Sequence, residues 1–151
     1  MPTNDWKLKA IIKKYNKMNK FREIANELKN TNVELTNESR REYAKAIKKL
    51  VPTVNGNAEL AEIAKSFIYT VARVIGTDSN ELGEADRNVM ARFLETTATF
   101  VENPNPRYIK MEKFDYMKLV NDSIIEELID GHCFHLARHE DGEVVIYDTR
   151  E

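Results

Sequence analysis

Asn57-Ala-Glu-Leu-Ala-Glu-Ile-Ala-Lys-Ser-Phe-Ile-Tyr-Thr-Val-Ala-Arg-Val-Ile-Gly76 is the stretch whose reading decides the fold. Leu60, Ile63, Ala64, Phe67, Ile68, Val71, Val74 and Ile75 recur at the spacing that puts them on one side of a helix. No other segment is as apolar, which predicts a helix at the centre of the core. Asn57 is a good N-cap, and Gly76 suits a left-handed cap at the far end. Glu62, Lys65 and Arg73 interrupt the apolar run, so it does not read as a membrane span.

Helices are predicted on both sides of this one. Downstream, a polar loop from Thr77 to Gly83 leads into a helix whose apolar positions are Ala85, Val89, Met90, Phe93, Leu94, Thr97, Phe100 and Val101. Asn103-Pro104-Asn105-Pro106 breaks it. Upstream, Thr36 or Asn37 caps a helix that reaches Leu50, with Tyr43, Ala44, Ile47 and Leu50 inside and Pro52 as the stop. Trp6, Leu8, Ile11, Ile12, Tyr15 and Met18 predict an opening helix from about Asn4 to Met18. Phe21, Ile24, Ala25 and Leu28 continue it, either as a second short helix or as the same helix bent near Asn19.

Beyond Pro106 the pattern changes. Tyr108, Ile109 and Met111 read as a short strand, and Asp115 as the cap of a helix ended by Gly131. Two strand-like runs follow, His132–His139 and Glu143–Thr149, split by Asp141-Gly142. That dipeptide favours a type I′ hairpin turn, where both central residues need φ > 0. The expected class is therefore α+β: a helical N-terminal two-thirds of about five helices, then a β-α-β-β element with a C-terminal hairpin. The segments fall at 1–51, 52–103 and 104–151, within one compact domain.

With 151 residues, 42% hydrophobic and 32% charged, the chain can bury a core and is not of a disordered composition. Cys133 is the only cysteine, so no intrachain disulfide can form. The N-terminal residues lack an apolar leader. A cytoplasmic protein without a membrane segment is expected, and no cofactor is implied. No glycine-rich phosphate loop is present, and no assembled set of acid, base and electrophile can be named, which argues against an enzyme.

Charge is sorted along the chain. Residues 1–50 hold 13 Lys and Arg against 6 Asp and Glu, a net of +7; residues 51–151 hold 10 against 19, a net of −9. The sharpest basic cluster is Arg40, Arg41, Lys45, Lys48 and Lys49, and Lys13 and Lys17 add to it from the opening helix together with Lys7, Lys9 and Lys14. Such a face can neutralise phosphates and bind DNA or RNA, or another polyanion, without reading bases. The bland alternative is the solvated side of amphipathic helices.

All three histidines lie near the cysteine, at His132, His135 and His139. A two-residue turn at Asp141-Gly142 pairs His139 with Val144, His135 with Asp148 and Phe134 with Thr149. Cys133, His135 and Asp148 then converge as a candidate zinc trio, although no CxxC or HExxH pattern supports it. Phe134, Leu136, Val145 and Tyr147 form one apolar face, expected to pack on the preceding helix. The opposite face mixes Cys133, His135, Ala137 and His139 with Val144, Ile146 and Asp148, and suits either the helical body or a partner's surface.

The expected function is a non-enzymatic binding or regulatory protein. Its basic helices contact nucleic acid or another polyanion, and its acidic C-terminal part contacts protein. The alternative is a protein–protein module without a nucleic-acid role: an inhibitor, an adaptor or an assembly subunit of the phage or mobile-element accessory kind.

Overall fold

The structure is a computed structural model that describes residues 5–54, 58–77, 81–103, 106–120, 135–140 and 142–147. Four helices come first: α1 (Asp5–Lys29), α2 (Asn37–Lys48), α3 (Ala58–Gly76) and α4 (Glu84–Glu102). One 3-10 turn, Val51–Thr53, follows α2, with Pro52 in its first turn. Then come β1 (Tyr108–Glu112), α5 (Lys113–Val120), β2 (His135–Glu140) and β3 (Glu143–Tyr147). The fold is α+β with helices dominating, as the sequence led us to expect.

The apolar stretch read first is indeed the middle of the protein. Leu60, Ile63, Ala64, Phe67, Ile68, Val71 and Ile75 of α3 are all fully buried. Phe67 stacks on Phe93 of α4, with centroids 5.9 Å apart and planes 27° from parallel. An offset aromatic pair of this kind adds about 0.5–1.5 kcal/mol beyond the area it buries.

The helices pair antiparallel. Arg22 of α1 meets Glu102 at the end of α4, and Arg87 near the start of α4 meets the last turn of α1. Arg40 near the start of α2 meets the end of α3. Phe21, Ile24, Ala25 and Leu28 are the buried positions among the described side chains of α1, which is one continuous helix through Asn19. Thr36 caps α2 through a reciprocal box: its hydroxyl accepts from the Ser39 amide at 3.0 Å, while the Ser39 hydroxyl accepts from the Thr36 amide at 2.9 Å.

Gly76 has a different use from the one its position suggested. Among the described glycines only Gly142 takes a positive φ, +80°. A Cβ added at Gly76 would stand 2.9 Å from the Cβ of Ala44. The glycine is therefore what lets α2 lie against the end of α3, and it does not cap α3 through a left-handed turn.

The three strands form an antiparallel sheet in the order β1-β3-β2. Ile109 and Met111 of β1 pair with Ile146 and Val144 of β3, and all four are buried in the same cluster as the helix interiors. Asp115 lies in the first turn of α5 and is 2% exposed; α5 starts three residues earlier than a cap at this position implied. The continuation of that helix to Gly131, and the cap at Asn57, lie outside the described residues.

Candidate functional site: the cationic face of α2 and the cleft beside β1

The buried stripe of α2 is Arg40, Ala44 and Ile47. At 100° per residue, positions 41, 45 and 48 lie on the other flank, with Lys49 at the C-cap. Arg41, Lys45, Lys48 and Lys49 are all exposed. Among the described residues, Lys45, Lys48 and Lys49 form no ion pair within 4.0 Å. Two of them sit in the last turn, where the helix dipole favours cations. That preference accounts for part of their placement and leaves three ammonium groups facing water.

Arg40 must be removed from the basic set. Its Nε donates to the Ile75 carbonyl at 2.8 Å, and its Nη2 to the Val74 and Thr77 carbonyls at 3.2 and 2.9 Å. It is 7% exposed. The last carbonyls of a helix have no partner within the helix, and this guanidinium supplies donors for those of α3. A group so engaged and so little exposed is not part of an outward basic face.

Lys13 and Lys17 stand on the part of α1 that precedes Arg22, and their side chains lie outside the described residues. Three of the four described cations of α1, all but the exposed Lys9, fare differently from the α2 lysines. Arg22 forms a two-pronged pair with Glu102, at 3.0 and 2.9 Å. Lys29 pairs with Glu95, and Lys20 with Glu23 at 3.5 Å. The regional excess of positive charge is thus partly met by the molecule's own acids, but among the described residues not at Lys45, Lys48 and Lys49.

A cleft of about 540 Å³ opens between α1, α4 and β1. Five ion pairs mark its rim, one of them Arg92–Glu112 at 3.7 Å. Arg22–Glu102 and Lys29–Glu95 tie α1 to α4. Arg92 of α4 grips the buried Asp115 with Nε at 2.9 Å and Nη2 at 2.9 Å, fastening α5 to the bundle. Lys110 of β1 reaches Glu143 of β3 at 2.8 Å. The Asp115 hydrogen bonds push the Arg92 guanidinium above its ordinary value, and the Glu102 bonds do the same for Arg22. The Lys110 ammonium is raised by its hydrogen bond to Glu143. A second, smaller groove of about 280 Å³ lies between α1 and α2. There Tyr43 is pushed up first by burial and then by the charge of Glu27, to which its hydroxyl donates.

The pairing of His135 with Asp148 expected at the hairpin does not hold in the observed register. His139 faces Val144 and Arg138 faces Val145, as a two-residue turn requires. A bulge between Leu136 and Arg138 then shifts the ladder by one, so His135 faces Tyr147 and not Asp148. Cys133 and Asp148 lie outside the described residues, as does His132. No group of three or more His, Cys, Asp or Glu among the described residues could hold a metal.

The same ladder decides which side of the hairpin is inward. Val144 and Ile146 are fully buried, whereas Val145 is only half-buried. The β3 part of the mixed face, Val144 and Ile146, therefore packs into the core and is not a free surface for a partner.

Sequence reasoning missed the second buried arginine and the cleft. Arg87 is the fourth residue after the Gly83 N-cap, as Arg40 is after Thr36. An arginine one turn into each of two helices was the available signal. No helix among the described residues is long and apolar enough to cross a membrane. Comparison of the chain with protein-family models, with curated proteins and with solved structures gave no match, so the reading of function rests on the residues themselves.

Proposed function

We propose that the protein is a non-enzymatic binding module whose α2 face takes a polyanion, with nucleic acid as the favoured class. The observation that carries this is the contrast between two sets of cations. Lys20, Arg22 and Lys29 are each matched by a carboxylate within the protein. Lys45, Lys48 and Lys49 are exposed, share one flank of α2 and find no carboxylate among the described residues. Phosphates that dock there release condensed counterions, which supplies affinity without base reading. Arg41 lies on the same flank and extends the face by a turn.

The test is a titration of the full chain with labelled duplex and single-stranded oligonucleotides across a range of salt. Affinity should fall steeply with salt. Replacing Lys45, Lys48 and Lys49 together with Ala should flatten the slope of log K against log salt by roughly 2–3, near 0.9 for each phosphate no longer neutralised. The circular-dichroism spectrum should not change, because all three side chains are solvated. Binding that ignores salt, or a triple variant that binds as well as the parent, removes this reading.

A further inference from the structure

We propose that the nucleic acid taken by α2 is a single strand, one of whose bases stacks on the exposed ring of Tyr69 in α3. This rests on the α2 reading and adds to it the strandedness of the ligand. Tyr69 is 53% exposed, whereas every other described apolar side chain of α3 is buried or half-buried. The remaining large apolar side chains that are exposed among the described residues stand on α1, β1 and α5.

Helix geometry places this ring beside the α2 cations. Gly76 of α3 faces Ala44 of α2. Tyr69 precedes Gly76 by seven residues, about 20° short of two full turns, so it leaves α3 on nearly the same side, about 10 Å back along the axis. The helices are antiparallel, since Arg40 near the start of α2 bonds the last carbonyls of α3. The same length of α2, counted onward from Ala44, ends at Val51, just past Lys48 and Lys49. Tyr69 therefore emerges beside the last turn of α2, where that helix ends and no longer covers it. The outward sides agree as well. α1 lies along the flank of α2 that carries Ser39, Tyr43 and Ala46, which leaves Arg41, Lys45 and Lys48 on the opposite flank. On α3 the exposed positions Glu62, Tyr69 and Arg73 form a stripe that borders Gly76, and so borders α2. Lys65 of α3 is paired with Glu62 at 3.8 Å, and Arg73 has a partner of its own. Among the described residues, the unmatched charge beside the ring is that of Lys45, Lys48 and Lys49.

The ring is what selects the strand. Ammonium groups neutralise the phosphates of a duplex and of a single strand alike. A phenol ring offers a flat face to a base, and only an unpaired base can turn its own face outward. In a duplex those faces are stacked on one another, and a ring beside the cations meets only the sugar–phosphate rim. Cations that follow the backbone, with an aromatic platform next to them, are the means by which single strands are held without sequence preference.

The full chain is titrated with a labelled single strand of about fifteen nucleotides, as DNA and as RNA, and with the duplex of the same sequence. Tight binding of either single strand satisfies the proposal, and it should exceed that of the duplex at equal salt. Tyr69→Ala should weaken single-strand binding by about fivefold or more at every salt concentration. The slope of log K against log salt should stay that of the parent, because stacking releases no counterions. Tyr69→Phe keeps the ring and loses only the hydroxyl, so it should bind within about twofold of the parent. A Lys45, Lys48 and Lys49 triple variant with the parent's affinity and slope removes the α2 reading, and this proposal with it. A preference for duplex, a Tyr69→Ala variant that binds like the parent, or a Tyr69→Phe variant as weak as Tyr69→Ala overturns the single-strand proposal and leaves the α2 reading in place.

Discussion

Two arginines show how one side chain can finish a helix that is not its own. Arg87 gives its Nε to the Leu28 carbonyl at 2.8 Å and its Nη2 to the carbonyls of Asn30 and Val33 at 2.9 and 3.0 Å. Arg40 does the same for the end of α3. Both occupy the fourth position after an N-cap, and both helices run antiparallel to the one they complete. The planar fork suits several carbonyls at once, which a single ammonium does not. Arg87→Lys should therefore lower stability by about 1–3 kcal/mol, the cost of buried acceptors left unmatched. Urea denaturation measures it, and amide exchange should show the last turn of α1 opening first. A loss below about 0.5 kcal/mol, the size of an ordinary surface change, would mean that water satisfies those carbonyls as well.

Helix and strand placement depends on contacts of similarly small size. α2 approaches α3 where Gly76 has no Cβ to meet Ala44. Gly76→Ala ought to help by helix propensity alone, by up to about 1 kcal/mol. Overpacking should reverse the sign and cost about 1–3 kcal/mol. Adding Ala44→Gly relieves the clash, so a double-mutant cycle should show a favourable coupling of about 1 kcal/mol or more. Additive effects would mean that the two helices separate without penalty. In the sheet, the bulge between Leu136 and Arg138 re-registers the start of β2 and takes His135 away from position 148. One extra residue was enough to give His135 a partner other than the expected Asp148, because each one-residue slip changes what faces what.

At the scale of the molecule, charge is distributed by matching as much as by sequence. The helix α5 is fastened to the bundle by Arg92–Asp115, and α1 is fastened to α4 by Arg22–Glu102 and Lys29–Glu95. Stability should also have an alkaline limit. The folded protein holds the Tyr43 phenol above its ordinary value, chiefly by burial and then through Glu27. The folded state thus keeps that proton to higher pH than the unfolded chain. Its contribution is complete below about pH 10 and is lost as pH rises through the folded value. The exposed Lys110 acts in the same direction. Urea midpoints at about pH 9 and about pH 11 should differ more for the parent than for Tyr43→Phe, which removes the linked proton. An equal difference in both proteins would assign the alkaline loss to other groups.

The sequence by itself determined the helix interiors, the hairpin and the α+β class. Periodic apolar positions, a Thr-x-x-Ser box and an Asp-Gly turn are local signals that act over a few residues. It also marked the α2 lysines, since their spacing alone puts them opposite Ala44 and Ile47. Only the tertiary structure decided that Arg40 belongs inside, that Gly76 answers to Ala44, and that the Val144–Ile146 face turns toward the core. The same holds for the cleft along β1. Each of these depends on groups far apart in the chain, or on the parity of a ladder, and such distances leave no periodic trace in a chain read from one end.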